Sequence, residues 1–187
     1  MDRKLRMEEL GRPGLEEVGA VPKAPVRLIL DDIRSRHNVG SIFRTADAFG
    51  VEGVLLCGFT PCPPHREIEK TALGATASVA WAHRSSALEA VEELRRAGYR
   101  IWCVEQTAMA VPLDAWDPGP FPTALVLGNE LDGVAEEVVA ACDGAIVIPQ
   151  QGIKHSLNVA VCAGVVVYQA IRRIPPQANN PVGNPSG

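Results

Sequence analysis

An α/β fold, with a mainly parallel sheet flanked by helices, follows from three features of the sequence. Short apolar runs alternate with helical patterns along most of the chain. The runs are rich in Val, Ile and Leu and do not alternate cleanly with polar residues, which suits strands buried on both faces of a parallel sheet. Hydrophobic residues make up 47% of the 187, enough for one domain with a real core, while aromatics are only 5%. That core must therefore be built from branched aliphatic residues and Ala.

The elements follow in order. Residues 1–25 are charged and Pro/Gly-punctuated, predicting a short helix around 6–10 and then an extended arm. Strands are predicted at VRLIL (26–30), GVLLC (53–57), YRIWCV (99–104), TALVL (123–127) and GAIVI (144–148), with a further short strand at 77–81. Each is bounded by Gly, Pro or Asp. Helices are predicted at 38–49, 84–97, 133–141 and 156–173, with Ser85 or Ser86 capping the second and Gly98 stopping it. The tail PPQANNPVGNPSG (175–187) has no core face and is expected to be disordered. The domain is then residues 26–174.

Composition narrows the chemistry. Five cysteines, an odd number without a CxxC pair or a secretory signal, fit a reduced cytoplasm and small apolar core roles. The four histidines do not cluster and no metal-ligand spacing is present, so no metal is expected. The longest apolar run, near 157–168, is interrupted by Asn158 and too short to span a membrane. Neither G-x-G-x-x-G after the first strand nor G-x-x-x-x-G-K-[ST] occurs, which argues against a standard dinucleotide site or a P-loop. A G-x-S-x-G elbow is missing too. Net charge is −4. Total charge alone therefore does not point to nucleic acid, although Arg34, Arg36 and Arg44 group locally.

Three strand ends carry polar residues suited to a site. In HNVGSIFRTADAFG (37–50), about 100° per residue puts Val39, Ile42, Phe43, Ala46 and Phe49 on one arc and Asn38, Ser41, Arg44, Thr45 and Asp47 opposite. That polar face lacks the usual Lys and Glu and offers small hydrogen-bonding groups around one guanidinium, a composition suited to a partner surface. In TALVLGNELDGV (123–134), Gly128 and Gly133 permit tight turns, Glu130 sits where a strand presents it to a ligand, and Asp132 is a candidate helix cap. In the third stretch, 146–173, Ser156 is the candidate N-cap of a long helix of small residues, which suits close packing against a core or another subunit. Its N-terminus could also hold an anion.

Together these stretches resemble the SpoU family of RNA ribose 2′-O-methyltransferases, within the SPOUT superfamily. NVGSIFRTADAFGV is similar to the family's first motif, with Asn38, Gly40 and Arg44. LVLGNELDGV is similar to the second, with Gly128, Asn129 and Glu130. IVIPQQGIKHSLNVAVCAGVVVYQ is similar to the third, with Ile148, Pro149, Gly152, Ser156, Leu157 and Asn158. The match covers about residues 26–172, in the right order.

The resemblance implies a C-terminal deep trefoil knot, which sequence periodicity would never propose. It implies that S-adenosylmethionine binds in the knot loops against Leu127, Gly128, Ile148 and Leu157, largely through backbone groups. It implies a homodimer with the first and last helices near the interface. It also implies catalysis by Arg44, with Asn38, Glu130, Ser156 and Asn158 fixing Arg44, the ribose and its phosphate. Arg44 is either the base that takes the 2′-hydroxyl proton or, at lower cost for a group of pKa above about 12, a charged clamp on phosphate and alkoxide. Glu130 either anchors that guanidinium or relays a proton. RNA is the expected partner, tRNA before rRNA because the chain is small and shows no added RNA-binding domain. The competing readings are a non-catalytic RNA-binding relative and a methyltransferase acting on a base.

Overall fold

The five longer predicted strands form, and the sheet explains why their apolar runs do not alternate. In the computed structural model, which describes residues 3–14 and 16–175, the strands are β1 (Ala24–Asp31), β2 (Val51–Cys57), β3 (Trp81–Arg84), β4 (Arg100–Val104), β5 (Val111–Pro112), β6 (Thr123–Leu127) and β7 (Gly144–Val147). They pair in the order β3-β2-β1-β6-β4-β7-β5, every pairing parallel. Along β1, Val26, Leu28 and Leu30 face one hydrophobic layer and Ile29 the other. β2 and β6 divide the same way, with Leu56 and Leu125 in the first layer and Leu55 and Val126 in the second. Both faces are covered, so both sets of side chains are apolar.

The helices are α1 (Arg36–Ala48), α2 (Arg66–Ala72), α3 (Ala75–Ser78), α4 (Ala87–Arg96), α5 (Glu136–Ala141) and α6 (Val159–Arg172). The first layer is filled by α1, α2, α3 and α6, the second by α4 and α5. Val39, Ile42, Phe43 and Ala46 of α1 are fully buried, as the helical arc predicts. Each of the larger three contributes roughly 1.5–3 kcal/mol of burial. The short helix expected near 6–10 is a single 3-10 turn, Met7–Leu10. No helix among the described residues is long and apolar enough to cross a membrane. All five cysteines are free; Cys57 and Cys103 are buried, and burial pushes the Cys57 thiol up to about 12. The expected disordered tail lies, from residue 176 on, outside the described residues.

Several boundaries differ from expectation. Residues 77 and 78 of the expected strand 77–81 fall in helix α3, launched from Gly74 at φ +91°, and the strand begins only at Trp81. Pairing with β2 is what selects Trp81–Arg84, a tertiary preference invisible to local pattern. α2 was not predicted: it has seven residues, follows Pro63 and Pro64, and is capped by His65. The helix expected at 133–141 starts at Glu136. Asp132 does not cap it; the Asp31 carboxylate at the end of β1 accepts the Ala135 N–H at 3.1 Å. The helix expected from Ser156 starts at Val159. Its cap is Asn158, whose Oδ1 accepts from Ala160 N at 2.9 Å and Val161 N at 3.4 Å.

Because all strands run one way, the loops after β1, β4, β6 and β7 leave the same edge of the sheet. The central neighbours β1 and β6 belong to segments that wind outward in opposite directions, which is where open α/β sheets form a crevice.

Candidate active site

The turn after β6 is locked by its own residues. Asn129 and Gly133 exchange backbone hydrogen bonds, 2.9 and 3.0 Å, and Asn129 Oδ1 accepts from Leu131 N and Asp132 N. Asn129 Nδ2 donates to Asp32 O at 2.7 Å, tying the turn to the end of β1. A Cβ on Gly128 would lie 2.2 Å from the Gly133 carbonyl carbon, so only glycine lets the turn fold this tightly.

That turn aims Glu130 at the N-terminus of α1. Its carboxylate accepts from Arg34 N at 3.0 Å, Ser35 N at 3.1 Å and Asn38 Nδ2 at 2.8 Å. Partial burial works to raise the Glu130 pKa, but the donors from Arg34, Asn38 and Ser35 outweigh it and hold the carboxyl below its ordinary range. The free N–H groups and positive dipole end of a thirteen-residue helix favour the charge. Glu130 is held there by the start of α1, and among the described residues no hydrogen bond or ion pair joins it to Arg44.

Asn38 then passes the order on. Its Oδ1 accepts from Asn158 Nδ2 at 3.1 Å, while Asn158 Oδ1 caps α6. The chain of acceptors and donors fixes both amide orientations, since Glu130 can only accept and the α6 N–H groups can only donate. Asn38, Glu130 and Asn158, from three separate strand ends, are thereby in direct contact.

Beside this triad lies a cavity of about 490 Å³, within the usual size of small-molecule sites. Leu127, Gly128, Ile148 and Leu157 all line it, as do Glu130, Ser156 and Asn158. Apolar walls and several carboxylates suit a flat, cationic ligand with an apolar body. Sequence reasoning missed Glu105 and Gln106, which also line it. Gln106 Nε2 donates to His155 O at 2.5 Å, and Glu105 Oε2 accepts Val134 N at 3.0 Å, so this loop braces both others. They directly follow the predicted strand 99–104, and inspecting that strand end too would have found them.

Arg44 is elsewhere. It is exposed, six residues beyond Asn38, roughly 9 Å along the helix axis. It lines a second recess of about 460 Å³ with Ser41, Thr45, Phe49, Lys70 and Thr71. Within one chain the three stretches meet through Asn38, Glu130 and Asn158, and the guanidinium stands outside the cavity they form.

An exposed apolar stripe joins the two features. Leu157, Val161, Val165 and Tyr168 follow the helical spacing along α6, with Val161 52% and Tyr168 50% exposed. The stripe starts at Leu157 on the cavity and ends at Tyr168, whose ring lies 6.1 Å from Phe49 of the recess.

Known proteins are similar to this chain in sequence and fold. A family model described as the SpoU rRNA Methylase family matches residues 25–168. The Bacillus subtilis protein YacO, named for the TrmH family of tRNA/rRNA methyltransferases, is 35% identical over 159 residues, 85% of this chain and 61% of its own. The 23S rRNA (guanosine-2′-O-)-methyltransferase RlmB of Vibrio parahaemolyticus is 30% identical over 89% of this chain and 66% of its own. The chain thus spans just under two thirds of the length of these relatives. An AdoMet-bound rRNA methyltransferase from Sinorhizobium meliloti superposes with TM-score 0.75 at 28% identity, covering 84% of this chain and 60% of that one. The A. aeolicus TrmH/SpoU tRNA modifying enzyme gives 0.74 at 29% identity, covering 85% and 80%. The chain belongs to the SpoU rRNA Methylase family.

Proposed function

We propose that this protein is an S-adenosylmethionine-dependent RNA methyltransferase acting on a ribose 2′-hydroxyl. The observation that carries the reading is the direct contact of Asn38, Glu130 and Asn158 beside a cavity lined by Leu127, Gly128, Ile148 and Leu157. The cofactor fits that cavity on its volume, its apolar walls and the tight backbone turn that Gly128 permits at its edge. When bound, it supplies a methyl group on an electrophilic sulfonium.

The protein's share of the work is alignment, exclusion of water and management of one proton. Alignment of reacting groups can be worth roughly 7–11 kcal/mol. Leu127, Ile148 and Leu157 wall off water. Glu130, pinned by three donors, keeps the start of α1 in register with Asn158, and Ser156 offers a hydroxyl at the rim. Arg44 is the charged clamp on the phosphate and the developing alkoxide, a task that suits a guanidinium's planar, bidentate donors.

Arg44 reaches the cavity from a second copy of the chain. A two-fold axis across the middle of the α6 stripe pairs its Leu157 end with the Tyr168 end of the other copy. The second copy's recess then lies beside the first copy's cavity. Burial of Val161, Val165 and Tyr168 would drive the association. A knotted path through residues 123–172 belongs to the same reading, as the family resemblance implies.

The RNA is tRNA in this reading. A structural neighbour described for 2-OH methylation of C/U34 on tRNA is covered to 97% of its length, at 28% identity and TM-score 0.69. The RlmB relatives favour rRNA as the second reading. Incubation with methyl-labelled S-adenosylmethionine and separate tRNA and rRNA pools, then nucleoside analysis, tests all of this. Label on a ribose of tRNA is expected. Label on a base, or none in either pool, would contradict the reading.

A further inference from the structure

The recess at Arg44 holds more than the motif residue. Gly40 sets it: a Cβ there would lie 2.1 Å from Thr71 Oγ1 and 2.2 Å from Ile68 O, so α1 and α2 cross in backbone contact. Thr71 Oγ1 donates to His37 O at 3.0 Å, which fixes the crossing. On the far side of this contact, Arg44 from α1 and Lys70 from α2 open into one recess among hydroxyls.

Its lining carries two cations and no carboxylate. The acidic residues of the helices around it are engaged away from it: Glu67 with Arg36 at 3.7 Å, Glu69 with Thr76 Oγ1 at 2.8 Å, and Asp47 with Ser78. Among the described residues, neither Arg44 nor Lys70 has an ion-pair or hydrogen-bond partner. Two cations that share a concave site with small hydroxyl donors make an anion receptor, one arm planar and bidentate, the other a point charge.

We propose that the recess between α1 and α2 binds a phosphodiester of the RNA, with Lys70 as a positioning cation next to Arg44. This rests on the RNA reading above and adds to it a residue outside the three motifs. Lys70 adds a point charge to the phosphate site beside Arg44 and so holds the strand where that guanidinium meets the reacting ribose. A phosphate contact carries no base information, so its effect is the same for any sequence.

The test measures RNA binding of the full chain by fluorescence anisotropy against salt concentration, alongside methyl transfer. Lys70→Ala is expected to reduce the slope of log K against log salt by about one and to weaken binding uniformly across RNA sequences. The KM for RNA should rise while kcat at saturating RNA and S-adenosylmethionine affinity are retained. Lys70→Arg should restore the slope. Arg96→Ala, an exposed cation on α4 in the opposite layer, should leave it unchanged. A wild-type slope in Lys70→Ala, or an equal drop in Arg96→Ala, overturns the assignment while wild-type methyl transfer stands. Wild type that neither binds nor methylates any RNA removes the functional reading itself, and the recess assignment with it.

Discussion

The cavity rim and the Arg44 recess are built from the same helix and are opposites in kind. At the rim, Asn38, Glu130 and Asn158 satisfy one another and the starts of two helices. At the recess, two turns further along α1, Arg44 and Lys70 have no partner among the described residues. A saturated network is rigid and prepared before any ligand arrives. An unpaired cationic recess gains its partner only when an anion comes. On the proposed function the two have different tasks: the rim shapes a standing small-molecule site, and the recess meets the RNA.

Removing the recess guanidinium should have the largest effect. Arg44→Ala is expected to lower kcat by about 10²–10³-fold, as loss of one transition-state charge contact does elsewhere. S-adenosylmethionine affinity, read by calorimetry, should change less than about twofold. Equal loss of both would erase the distinction between the two regions. Arg44→Lys should be nearly as poor, because the planar fork is lost.

Gly128→Ala should strike the rim alone. The added Cβ meets backbone at 2.2 Å, so the turn must shift and cofactor affinity should fall by more than tenfold, about 1.4 kcal/mol. RNA binding should persist. Asn158→Ala should abolish turnover and cost roughly 1 kcal/mol of stability for the lost cap. Asn158→Asp keeps the capping acceptor but has no donor for Asn38; it should recover the stability without the activity.

The smallest effect concerns pH. Glu130 has a folded-state pKa below its unfolded value, so its stabilisation is complete above the unfolded pKa and is lost as pH falls through the folded one. Melting temperatures measured between about pH 6 and pH 3 should therefore drop less steeply in Glu130→Gln than in wild type. Parallel curves would mean the carboxylate is not held by the α1 donors.

How much of this was legible in the sequence depends on the reach of each interaction. The strands were legible because every residue of Leu28–Leu30 or Leu125–Leu127 meets one of two apolar layers. The α1 stripe was legible because Val39, Ile42, Phe43 and Ala46 repeat with the helical period. The Ser86 start of α4 was legible, but the starts of α5 and α6 were misplaced because bonds from distant segments set them: Asp31 serves Ala135, and the Asn158 amide that caps α6 is oriented by Asn38. The three motifs named Asn38, Glu130 and Asn158 but not their mutual bonds, which span more than ninety residues. Lys70 was invisible, since α2 is one short helix after two prolines and its place depends on the bare backbone of Gly40.

On the proposed function, the recess of one copy completes the cavity of another. Mixing the inactive Arg44→Ala and Asn158→Ala proteins under conditions that exchange subunits tests this directly. A mixed pair holds one site with both residues intact, so a one-to-one mixture should regain about a quarter of wild-type methyl transfer. No recovery, with subunit exchange verified by mass, would place Arg44 and the cavity in the same chain and contradict the account.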